Sequence, residues 1–169
     1  MQSRYEWKQP SAFTRTYELL SDEIQVAGLQ FPKTFGSLAE ATWSPDQWTF
    51  KRQGFLRPRI SARLPGSEEN LAVYEPNWTG AKGVLHGPGN RIFLWETANM
   101  FSTEFRWRCA EMGELIHYTQ KGVLRSGAEV EIADAGLREE HLKFLILLGW
   151  YLVLTARDEA AATTASISS

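Results

Sequence analysis

A single cysteine, Cys109, stands in the whole chain, so no disulfide can form within it and a reducing compartment is expected. A lone thiol without a charged setting is unreactive, and Cys109 is assigned to the core as a small apolar side chain. Histidine is nearly as scarce. His86, His117 and His141 are scattered, none has a partner at metal-ligand spacing, and each is given a structural or solvent-facing place. Phosphate-binding glycine loops, nucleophile elbows and paired cysteines are missing, so no catalytic residue, metal ligand or cofactor is assigned. HGPGN has glycines but precedes a strand pattern and reads as a hairpin turn. Glu68-Glu69 and Glu139-Glu140 fall in a turn and at a helix start, where carboxylates stay solvated.

Neither charge dominates. Eighteen Lys and Arg against 20 Asp and Glu leave a net charge of −2, without the basicity of a nucleic-acid-binding protein, and no nucleic-acid partner is expected. MQSRYEWKQPSAF contains no apolar stretch of signal-peptide length. A cytoplasmic location is expected, and the Asn77-Trp78-Thr79 sequon is read as chance. Long apolar runs are lacking too, with one exception: LKFLILLGWYLVL, from Leu142 to Leu154.

What the chain does have is aromatics and alternation. Seven Trp, nine Phe and five Tyr favour half-buried pleated surfaces. From Tyr5 to Ile132, short alternating runs are separated by turn residues. In QWTFKRQGF, Trp48 and Phe50 share a face. In RPRISARL, Pro58, Ile60, Ala62 and Leu64 oppose Arg57, Arg59, Ser61 and Arg63. In TEFRWRC, Phe105, Trp107 and Cys109 oppose Glu104, Arg106 and Arg108. Pro65-Gly66, Thr79-Gly80, Gly87 to Asn90, Met112-Gly113 and Ser126-Gly127 punctuate these runs at the spacing of antiparallel hairpins. Residues 1–169 read as one domain.

The apolar run belongs to a helix expected over about 137–160, entered near Asp134-Ala135-Gly136 and followed by a frayed tail, AAATTASISS. Its centre is apolar around the whole circumference, so it must be surrounded by apolar matter. The uncharged stretch from Phe144 to Thr155 spans about 18 Å, against about 30 Å of hydrocarbon in a bilayer. That favours a buried core helix; the rival is a membrane anchor with Lys143 and Arg157 snorkelling.

Hairpins through Ile132, the strand AEVEIAD and a fully apolar terminal helix resemble the superfamily of the tubby carboxyl-terminal domain, the phospholipid scramblases and the LURP-one-related proteins. The resemblance is one of layout across nearly the whole chain. It implies a mainly β fold: a closed antiparallel barrel of about twelve strands enclosing a hydrophobic carboxyl-terminal helix.

The basic stripe KRQGFLRPRISAR carries the main functional signal. Arg57, Arg59 and Arg63 on one strand face, with Lys51 and Arg52 on the preceding strand, suit a phosphate or an anionic lipid headgroup. The resemblance points the same way, because tubby-like domains are associated with phosphoinositides held by basic side chains. The alternative is a solvated strand face paired with glutamates. Trp78, in the turn EPNWTG, is a further candidate anchor for a ligand or a membrane interface. The expected function is a non-enzymatic binding or scaffold module for an anionic lipid or phosphorylated small molecule, with peripheral membrane contact. The alternatives are an enzyme or small-molecule carrier with its site at the barrel mouth, or a protein anchored by its apolar segment.

Overall fold

A computed structural model describes residues 3–122 and 124–168. Twelve strands follow in sequence: β1 (Ser3–Lys8), β2 (Thr16–Ser21), β3 (Ile24–Gln30), β4 (Ala39–Trp43), β5 (Asp46–Gln53), β6 (Arg59–Arg63), β7 (Ala72–Pro76), β8 (Lys82–His86), β9 (Ile92–Thr97), β10 (Glu104–Cys109), β11 (Gly113–Lys121) and β12 (Gly127–Ile132). Each pairs antiparallel with its neighbours in sequence, and β1 pairs with β12, Tyr5 opposite Val130. The sheet is therefore a closed barrel without a free edge. A 3-10 turn, Gly136–Arg138, leads into the α-helix α1 (Leu142–Ile167).

The alternation read from the sequence sets the wall. Phe105, Trp107 and Cys109 are buried while Glu104, Arg106 and Arg108 are not. The outer side carries charge, as in Arg106–Glu96 at 2.6 Å and Lys121–Glu129 at 2.7 Å. Every residue of α1 from Phe144 to Leu154 is buried, so the helix is enclosed on all sides. In this fold the apolar run works inside the barrel. Among the described residues, no helix is long and apolar enough to cross a membrane.

Fitting a helix inside a barrel is a problem of volume, and two devices solve it. Where α1 passes β3 and β4, the wall offers Ala27, Ala39 and Ala41. Where it passes β10, the helix itself yields, with Gly149 beneath Trp107 and Tyr118. Without a side chain at Gly149, the carbonyl one turn earlier lies open. Trp107 Nε1 donates to the Leu145 carbonyl at 2.9 Å, and Tyr118 Oη lies 3.1 Å from the carbonyls of both Leu145 and Ile146. Aromatic rings fill the remaining space. Trp150 stacks on Trp7 at 5.5 Å, and Phe144 meets Trp48 at 5.9 Å and Phe50 at 6.0 Å.

Two bounds differ from the sequence expectation. The helix starts at Leu142, not near 137, because the chain first makes the 3-10 turn. There the Glu139 carboxylate takes the Arg91 guanidinium at 2.8 Å and the His141 backbone N–H at 3.1 Å. The segment expected as a frayed tail is helical through Ile167. Its Thr163, Thr164 and Ser166 hydroxyls bond the carbonyls four residues back; Ser169 lies outside the described residues.

Burial pushes four phenols up: Tyr17, Tyr74, Tyr118 and Tyr151, the last to about 12. A phenol is neutral when protonated, so a raised folded-state pKa stabilises the fold below the unfolded value of about 10. That contribution is lost as pH rises through the folded values. Above about pH 10, stability is expected to fall by about 1.4 kcal/mol per pH unit for each of these tyrosines. Tyrosinate absorbance and far-ultraviolet circular dichroism followed together provide the check: the four buried phenols should ionise in step with unfolding.

Candidate anion-binding face

The basic stripe is divided by the barrel wall. β5 and β6 pair with Lys51 opposite Ser61, Gln53 opposite Arg59 and Thr49 opposite Arg63. Lys51 therefore lies diagonally between Arg59 and Arg63 on the outer face, a spacing of about 7–8 Å that long side chains bridge. Ser61 sits between the two arginines and is buried, its hydroxyl donating to the Lys51 carbonyl at 3.4 Å.

Arg52 is on the other side. It follows Lys51 in the strand and shares the inner face with Trp48 and Phe50, and it reaches Glu159 of α1 at 2.7 Å. Arg57 is not on a strand, as the eight-residue alternation had placed it. β6 begins at Arg59, and residues 54–58 form a tight loop. Gly54 has φ +86°, and a β-carbon there would stand 2.8 Å from the Arg57 carbonyl oxygen, so the chain must turn before Pro58.

Counter-charges differ across the group. Arg59 meets Glu75 at 3.3 Å, and the Arg63 guanidinium donates to Asn70 Oδ1 at 2.8 Å. Lys51 and Arg57 are exposed, and among the described residues neither has an ion-pair partner. The structure thus brings Lys51, Arg59 and Arg63 together, places Arg57 in the adjoining loop, and sends Arg52 into the barrel mouth.

At that mouth a cavity of about 220 Å³ is lined by Arg15, Phe31, Ser37, Arg52 and Tyr151, with Asp158 and Glu159 of α1. Arg15 pairs with Asp158 at 3.4 Å, and Tyr151 Oη donates to the Ser37 carbonyl at 2.6 Å. Arg15 escaped the sequence reading because its partner lies 143 residues away. At the opposite mouth Arg91 pairs with buried Glu139 in a second cavity that also holds Glu111 and Arg138.

The histidines and the cysteine take separate places. His117 lies 3.1 Å from Glu104, His86 is 3.9 Å from Glu75, and His141 is beside Glu140. Cys109 is buried with its thiol 3.0 Å from Glu111. Among the described residues, no three His, Cys, Asp or Glu converge as a metal site. Six of the seven tryptophans pack wholly or partly into the core, and Trp78 projects from its loop into solvent. No protein-family model, no curated protein and no solved structure matches the chain.

Proposed function

We propose that the protein is a non-enzymatic binding module for a phosphate-bearing anion held on the outer face of β5 and β6. The observation that carries the proposal is Lys51, an exposed cation without a counter-ion among the described residues, set diagonally between Arg59 and Arg63. The inside of the barrel is occupied by α1 from Phe144 to Leu154, which leaves the outer surface and the rim for a ligand. Two guanidinium forks and an ammonium supply the multiple donors that a phosphate takes up. The layout is that of the tubby, scramblase and LURP-one-related superfamily. Membership would agree with an anionic headgroup as ligand, as tubby-like domains are associated with phosphoinositides.

The chemistry is shared by lipid headgroups and free phosphorylated metabolites, so the test has two arms. Titration with glycerol phosphate, read by backbone amide shifts, is expected to move the amides of β5 and β6. Binding to vesicles containing phosphatidylserine reports the lipid arm. A Lys51→Glu, Arg59→Glu double variant is expected to weaken glycerol phosphate binding about tenfold or more by replacing attraction with repulsion. Unchanged binding in the variant, or no binding of either probe to the wild type, overturns the proposal.

A further inference from the structure

Because the strands form an uninterrupted meander, their connections alternate between the two ends of the barrel. The described residues of loops 9–15, 31–38, 54–58, 77–81, 98–103 and 122–126 gather at the end where α1 leaves. The other connections gather where it enters. The two ends have opposite chemistry.

Every loop at the exit end holds a large apolar side chain out in solvent: Phe13, Phe35, Phe55, Trp78, Phe101 and Leu124. Leu56 and Met100 join them, and all eight are between 84% and 99% exposed. Ile167, near the end of α1, is 80% exposed on the same side. Elsewhere among the described residues the most exposed large apolar side chain is Ile24, at 68%. Charge divides the same way. The six exit loops contain Arg15, Lys33, Arg57 and Arg125 and no acidic residue. The entry-end segments contain eight carboxylates, among them Asp22, Glu23, Glu68 and Glu69, against two arginines. The two acids of α1 at the exit, Asp158 and Glu159, are each held by an arginine of the rim, Arg15 and Arg52.

We infer that the exit end docks on an anionic lipid bilayer, its loop tips entering the interface and its basic residues facing the headgroups. Apolar tips set apart around a ring suit a deformable phase that closes around each one, whereas a protein partner would need six matching recesses. Basic residues without acids are what a negatively charged leaflet attracts, and a loop tryptophan is at home where hydrocarbon meets water. The helix end at the centre of the ring does not oppose the docking. From Ala160 to Ser168 it carries no charge, and its hydroxyls bond the helix's own carbonyls, as a polar side chain must in a poorly hydrated layer. This surface differs from the face around Lys51, which it adjoins at Arg57 and Arg59.

The test is sedimentation of the protein with vesicles of phosphatidylcholine alone and of phosphatidylcholine mixed with phosphatidylserine. The wild type is expected to bind the mixed vesicles, less at raised salt. A Phe13→Ser, Phe55→Ser, Trp78→Ser, Phe101→Ser variant is expected to partition at least about tenfold more weakly. Its thermal unfolding should match the wild type, because all four side chains lie in solvent. It also keeps Lys51 and Arg59, so its binding of glycerol phosphate should be unaltered, which separates failure of the rim from failure of the anion site. Equal partitioning by the variant, or no wild-type binding to mixed vesicles, overturns the inference. So does wild-type self-association in sedimentation velocity that the four substitutions abolish, since the ring would then be covered by a second copy.

Discussion

Replacing Gly149 with valine is expected to prevent the barrel from closing around its helix. A β-carbon on Gly149 would stand 2.7 Å from Trp107 Nε1 and closer still to Tyr118 Oη. Neither group has room to retreat, because both are buried and both hydrogen-bond the helix backbone at Leu145. Moving the helix away would break those bonds and press it into the opposite wall of alanines. A glycine inside a helix costs about 1 kcal/mol relative to alanine, so helix propensity alone would favour the substitution. Overpacking costs about 1–3 kcal/mol per misfit in a tight core, and orphaning the buried Trp107 and Tyr118 donors adds about 1–3 kcal/mol each. The sum is comparable to the whole stability of an ordinary domain, about 5–15 kcal/mol. Loss of soluble folded protein, or of cooperative unfolding by circular dichroism, is the expected readout. A Gly149→Val protein with wild-type unfolding would mean that the helix does not pass against β10 as described.

Trp150→Ala is the second large effect. Trp150 is wholly buried, stacked on Trp7 and edge-on to Tyr17 at 5.8 Å, and it ties the helix to β1 and β2. Truncation leaves a ring-sized cavity, with an expected loss of about 3–5 kcal/mol. At about 2–4 °C per kcal/mol for a chain of this size, the thermal midpoint should fall by about 6–20 °C. Trp150→Phe should cost far less. Among the described residues, the buried indole N–H of Trp150, like that of Trp7, has no hydrogen-bond partner, so removing it forfeits no bond. Chemical denaturation of the two variants side by side separates lost volume from lost polarity. Equal destabilisation by alanine and phenylalanine would contradict the stacked, unbonded geometry.

Strands were legible where period-two alternation meets turn residues, as in β10 and in the turn at Pro65-Gly66, because both signals are local. Parts of the basic stripe were legible and overlooked. Lys51 and Arg52 are consecutive in a strand, so alternation alone puts them on opposite faces. Arg57 was misplaced because RPRISARL keeps its apolar rhythm beyond the strand, while Gly54 and Pro58 end it.

Read from the sequence alone, the chain is a series of antiparallel hairpins followed by a helix apolar on all sides, whose short uncharged run favours a buried core over a membrane anchor. These follow from side-chain period, turn chemistry and length, which neighbouring residues settle among themselves. Which residues meet at a distance is set by the folded barrel: Gly149 under Tyr118, Arg52 on Glu159, and Phe13, Trp78 and Phe101 on one rim. Closure is the cause. Pairing β1 with β12 fixes the interior volume that the helix must fill, and the parity of twelve strands sorts every loop to one end or the other.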